Sequence, residues 1–134
     1  MAEVRFFIDR SLGDHEVPGA LRAAGWHVVS MRERYGSVTA QRLADIDWIR
    51  DATEAGEVLL TADKAIAKRP LEARAVVTAG ARVFALASSQ LTGQQKAARL
   101  LAHERAIFRR AQREAGPYIF SVTGHGLERL KLFH

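Results

Sequence analysis

Five short apolar runs recur along this chain, and a segment of helical character separates each from the next. The runs are Val4–Ile8, Trp26–Ser30, Glu57–Thr61, Arg82–Leu86 and Tyr118–Val122. They are strand-length, rich in Val, Ile, Leu and Phe, and carry little polar alternation, which is the pattern of strands buried on both faces. Val17, Leu21 and Ala24 follow at helical spacing and Gly25 closes that helix. A second helix starts at Asp45, puts Ile46, Ile49 and Ala52 on one stripe and closes at Gly56. Pro70 opens a third, where a missing N–H is harmless, and Gly80 ends it. Residues 93–115 read as the longest helix, stopped by Gly116-Pro117. Residues 31–44 have weak periodicity around Gly36 and read as a loop with a short helical piece. Thr123–Gly126 reads as a turn and Leu127–Phe133 as an edge strand. Strands alternating with helices predict an α/β fold with a mostly parallel sheet covered on both faces. Such sheets carry their sites beyond the carboxyl ends of the strands.

The 134 residues are one domain's worth, so 1–134 is read as a single domain. No apolar stretch approaches the ~20 residues of a membrane span. The N-terminal Met-Ala-Glu-Val-Arg-Phe-Phe-Ile-Asp meets acids too early for a secretory signal. Cysteine is absent, which excludes thiolate metal sites and Cys nucleophiles and fits a reducing cytoplasm, the expected location. The net charge of +5 is unevenly placed. Residues 1–92 hold 12 Lys/Arg and 12 Asp/Glu, whereas 93–134 hold 8 and 3. A neutral body with a basic C-terminal third suits a polyanionic partner, though it also describes a solvated helix face.

Asp9 follows the first strand, and Asp63 follows the third after Thr61-Ala62. Asp45 begins the helix that leads into the third strand, with Asp47 beside it. Each acid alone makes a good helix or turn cap. Several at one sheet edge would repel and raise one another's pKa unless a cation lay among them. All-oxygen ligands without Cys select Mg²⁺ or Mn²⁺, which hold phosphates and activate water. An acidic metal site beside a basic surface reads as a phosphodiester-cleaving nuclease.

Three blocks in order resemble the PIN-domain nucleases, most closely the compact PIN-like branch of VapC-type toxins. They are Phe6-Phe7-Ile8-Asp9-Arg10-Ser11-Leu12-Gly13, Asp45-Ile46-Asp47-Trp48-Ile49 and Val58-Leu59-Leu60-Thr61-Ala62-Asp63. The resemblance implies a three-layer α/β/α sandwich and a Mg²⁺-dependent endoribonuclease, with Mn²⁺ able to substitute. It implies the toxin of a type II toxin–antitoxin pair, neutralised by a cognate antitoxin protein, as a homodimer or a hetero-oligomer with that antitoxin. Asp9, Asp45 and Asp63 match the catalytic metal ligands, with Asp47 in reserve. Larger PIN domains carry a Glu in the helical block and a further acid after a later strand. Here that strand runs into Ala87-Ser88-Ser89-Gln90, which leaves a fourth ligand to Asp14, Asp47, Ser89 or water.

Arg10, Lys64, Lys68 and Arg69 adjoin the acids and are candidates to grip RNA phosphates, although Lys64 and Lys68 also fit a solvated face. Thr61 either hydrogen-bonds a ligand carboxylate or finishes its strand. Asp51 reads as a solvated helix residue, and Trp26 and Trp48 as core. The basic helix over 93–115 either lines an RNA channel or shows a wet outer face. The five histidines lack HxxxH or HExxH spacing, which disfavours zinc. Glycine-rich phosphate loops and a serine elbow are also missing. Two rivals remain. One is a catalytically idle PIN-like binding module. The other is a receiver-type signalling domain, which needs paired acids after the first strand where Asp9-Arg10 stands.

Overall fold

The structure is a computed structural model that describes residues 3–87 and 90–133. Its strands are β1 (Arg5–Ile8), β2 (His27–Ser30), β3 (Val58–Thr61), β4 (Arg82–Leu86), β5 (Tyr118–Val122) and β6 (Leu127–Arg129). The helices are α1 (Glu16–Ala23), α2 (Met31–Tyr35), α3 (Ser37–Arg42), α4 (Asp45–Glu54), α5 (Pro70–Ala79), α6 (Gly93–Ala102) and α7 (Glu104–Arg113). They build one sheet in the order β2-β1-β3-β4-β5-β6. The first five strands run parallel and β6 pairs antiparallel to β5. The chain moves outward from β1 to β2, then returns past β1 to β3 and continues to β5. The sheet therefore reverses direction between β1 and β3, and the crevice at their carboxyl ends is the place such sheets offer to a ligand.

The continuous apolar strands are explained by two cores. Phe6, Ile8, Leu60, Phe84 and Phe120 face one side, where α1, α6 and α7 cover them with Leu21, Leu100 and Ile107. Phe7, Leu59, Val83 and Ile119 face the other, under Met31, Trp48, Ile49 and Val76. Alternate residues of the inner strands serve opposite layers, so their central residues are apolar on both faces, and polar residues such as Arg5, Thr61 and Arg82 fall at strand ends. Among the described residues, no helix is long and apolar enough to cross a membrane.

Three elements differ from the sequence reading. Segment 31–44 is two helices, α2 and α3, hinged at Gly36 with φ +81°. Ser30 and Glu33 cap α2 reciprocally, each side chain accepting from the other's backbone N–H. The helix expected over 93–115 breaks at His103, which lets α6 and α7 each turn an apolar face to the twisted sheet. At the break, Glu104 accepts the Trp26 indole N–H and ties α7 to the start of β2. The edge strand expected over 127–133 is only the three residues of β6. The turn before it closes as a hairpin through Thr123 N–H to the Gly126 carbonyl at 2.8 Å.

Candidate functional site

Asp9 leaves β1 at the reversal point and caps a 3-10 turn over Arg10–Leu12. Its Oδ1 accepts from the Ser11 backbone N–H at 3.1 Å and from the Ser11 hydroxyl at 2.5 Å. Its Oδ2 accepts from Thr61 Oγ1 at 2.7 Å. All these donors are neutral, and Asp9 is only 4% exposed. Burial pushes its carboxyl up to about 6, Asp45's negative charge adds to the rise, and the Ser11 and Thr61 hydrogen bonds oppose it.

Thr61 ends β3 and links two acids. Its hydroxyl binds Asp9 and accepts from the Asp63 backbone N–H at 3.0 Å. Asp63 caps a second 3-10 turn over Lys64–Ala67, with Oδ1 accepting from Ala65 N–H at 3.1 Å. Asp45 opens α4, and its Oδ1 accepts from Trp48 Nε1 at 2.9 Å. So Trp48 fills the core, as expected, and also fixes an acid. Arg69 Nη2 bridges two acids, donating to Asp63 Oδ2 at 2.5 Å and to Asp45 Oδ2 at 3.4 Å. Glu72 holds the same guanidinium from behind, 3.3 Å from Nε.

The three aspartates are thus linked indirectly, Asp9 to Asp63 through Thr61, and Asp63 to Asp45 through Arg69. Among the described residues, no group of three or more His, Cys, Asp or Glu is placed to hold a metal ion. The donor set nonetheless has the chemistry for one: three carboxylates, hard oxygens only, and a buried Asp9 that no cation among the described residues touches. The cation now between the other two is Arg69.

The remaining expected site residues are placed as follows. Arg10 donates to the Ala40 and Leu43 carbonyls at 2.8 and 2.6 Å and stands 3.6 Å from Asp45 Oδ1. It ties the α3–α4 loop to the site. Lys64 and Lys68 are exposed on the rim. Asp47 pairs with Arg50 at 3.4 Å, and the same guanidinium stands 3.3 Å from Asp51. Asp14 stands 3.9 Å from Arg32. Ser89 lies outside the described residues. Asp51, read as solvated, accepts from the Tyr35 hydroxyl at 2.7 Å.

Residues 4–88, more than half of the chain, match the family model described as a PIN like domain. The chain belongs to the PIN-like domain family. The match includes all three aspartates and ends just past β4. The chain is also 40% identical over 116 residues to "Putative ribonuclease VapC45" of Mycobacterium tuberculosis (strain ATCC 25618 / H37Rv), covering 87% of this chain and 83% of that protein. No solved structure matches it.

Three residues support this PIN-like site in roles that the sequence reading does not give them. The Ser11 hydroxyl binds Asp9, lies 3.1 Å from Thr61 Oγ1 and accepts from Ala62 N–H at 2.8 Å. Lys96 reaches over from α6 and donates from Nζ to the Ser11 carbonyl at 3.1 Å. Trp48 orients Asp45, and its three-residue spacing from Asp45 on one helix was the available signal.

Proposed function

We propose that this PIN-like protein is a Mg²⁺-dependent endoribonuclease, with Mn²⁺ able to substitute, and the toxin of a type II toxin–antitoxin pair. The observation that carries the reading is the buried Asp9 carboxylate at the β1–β3 crevice, bonded only to neutral donors, with the charge of Asp45 adding to the rise in its pKa. Asp9, Asp45 and Asp63 are the proposed ligands, with Asp47 in reserve. A divalent ion among them supplies positive charge to a scissile phosphate and acidifies water. Ser11 and Thr61 orient Asp9, Trp48 orients Asp45, and the Ala65 N–H orients Asp63. Lys64 and Lys68 stand free on the rim to hold neighbouring phosphates of the RNA. Arg10 sets the position of Asp45 from its carbonyl anchors. Arg69, which now bonds Asp63 and Asp45, would be available to a phosphate if those carboxylates held an ion instead.

The ribonuclease name of the mycobacterial relative and the VapC-type resemblance support an RNA substrate, a cognate antitoxin and a cytoplasmic setting. One domain over 1–134 and assembly as a homodimer or with the antitoxin belong to the same proposal. The Arg69 bridge favours a second reading, an idle PIN-like binding module whose acids are satisfied without metal.

One assay separates the two. Purified protein is given a defined RNA with Mg²⁺ or Mn²⁺, with EDTA as control, beside Asp9→Asn and Asp63→Asn. The nuclease reading expects cleavage that EDTA stops and that each variant lowers by at least about a hundredfold with the fold retained. Cutting that survives EDTA, or variants that cut at the full rate, overturns it. An intact RNA under every condition leaves the binding module.

A further inference from the structure

The acid crevice makes no use of the charge on α7. Arg105, Arg109 and Arg113 recur at every fourth position, so they share one helix face at about 6 Å intervals along the axis. All three are exposed. No ion pair or hydrogen bond joins them to an acid among the described residues. Their neighbour is treated differently. Arg110 binds Glu114 at 2.8 Å, as does Arg129 from β6, and both guanidinium groups stack on Phe120. The only acid within α7 is Glu104, which the Trp26 indole occupies. Like charges one turn apart weaken a helix, and a face needed only for solubility is served by mixed signs. An anionic ligand would reverse that repulsion.

The position of this face separates it from the acids. Arg82, the first residue of β4, donates to the Ala111 carbonyl at 2.7 Å, so α7 ends at the amino edge of the sheet. The five residues of β4 alone put about 16 Å between that edge and the one carrying Asp9 and Asp63. At the acid edge, Lys96 of α6 already touches the Ser11 carbonyl. The α6–α7 pair therefore runs down one flank from the acids to the far edge, and an extended polyanion leaving the crevice meets the arginines in turn.

The surface between the arginines argues against a protein occupant. Protein interfaces rest on apolar or aromatic anchors. Among the described residues, the exposed large apolar residues Val38, Ile46, Leu71 and Phe133 all lie off α7, whose exposed residues between Arg105 and Arg113 are Ala106, Arg109, Arg110 and Gln112, with half-buried Leu127 and Glu114 beside them. We propose that the Arg105–Arg109–Arg113 face binds the phosphate backbone of single-stranded RNA outside the cleavage site, several nucleotides from the acids. This rests on the ribonuclease reading for its occupant, and the face acts as a second anchor that favours long RNA over short.

The test measures binding without turnover. The full chain carrying Asp9→Asn is titrated in EDTA with a single strand of about 30 nucleotides and with a tetranucleotide, which is too short to span from the acids to Arg113. The comparison protein adds Arg105→Gln, Arg109→Gln and Arg113→Gln, and a third carries Lys at the same positions. Three lost phosphate contacts make the slope of log K against log salt shallower by about 2 and weaken the long strand roughly tenfold or more at 0.15 M salt. Tetranucleotide affinity stays the same, the Lys protein keeps the parent slope, and melting temperatures agree within a few degrees. An unchanged slope for the long strand overturns the proposal. So does equal loss for both RNAs, or displacement of the long strand by polyglutamate of matched charge. If the native chain cuts no RNA but this slope still changes, the nuclease reading fails and the anchoring face stands. If it cuts RNA and the slope is unmoved, the reverse holds.

Discussion

Asp9→Asn is expected to make the metal-free protein more stable, although Asp9 is one of the three proposed metal ligands. Burial raises the Asp9 carboxyl from the ordinary 3.8 to about 6, with Asp45's charge adding to it. The folded pKa lies above the unfolded one, so ionisation favours the unfolded chain. The penalty is absent below about pH 4, grows between pH 4 and 6, and is complete above about 6. A gap of that width corresponds to roughly 3 kcal/mol. Asparagine keeps the shape, and its Oδ1 still accepts from Ser11. Its Nδ2 can donate to Thr61 Oγ1, provided the Thr61 hydroxyl turns its proton to Ser11 Oγ, 3.1 Å away. Allowing for one weaker bond leaves a gain of about 2 kcal/mol, on the order of 5–10 °C for a chain of this size. Thermal melts of EDTA-treated protein between pH 4 and 8 read this directly. The variant melts higher than the native chain at pH 7.5, and the difference closes towards pH 4. Mg²⁺ then raises the native melting temperature and leaves the variant's unchanged. A variant that melts lower at pH 7.5, or a difference that ignores pH, refutes the picture of Asp9 as a buried charge short of a cation.

Two further substitutions probe the supports. Trp48→Phe removes the N–H that fixes Asp45, and divalent-ion affinity measured by calorimetry falls about tenfold, the worth of one bond to a charged acceptor at about 1.5 kcal/mol. Arg34→Ala strands the 6%-exposed Glu57, which Arg34 now holds with two hydrogen bonds. Chemical denaturation should show a loss of about 3–5 kcal/mol with catalysis per folded molecule unaffected.

The strands and the helix–strand alternation could be read in the sequence because β1, β3, β4 and β5 are buried on both faces and each of three helices ends at a glycine. The short helices α2 and α3 could not be read from periodicity, since five or six residues do not fill two turns. The Ser30-x-x-Glu33 capping signature was present all the same. The break at His103 is invisible because apolar spacing continues across it. Asp9 and Asp63 stood out by their place after strands. Their environment did not, because it depends on distant partners. Ser11 meets Thr61 across 50 residues, and Lys96 meets Ser11 across 85. Arg69 reads in the sequence as a candidate phosphate binder, and only the folded chain reveals that it spans Asp45 and Asp63.

Crystals grown with Mn²⁺ and measured for anomalous scattering would test most directly whether these aspartates share one ion. The expected map has a single strong peak about 2.0–2.3 Å from oxygens of Asp9, Asp45 and Asp63, with the Arg69 guanidinium turned away from Asp63. A map with no peak in the β1–β3 crevice at saturating Mn²⁺, and Arg69 still bridging Asp45 and Asp63, would contradict the account.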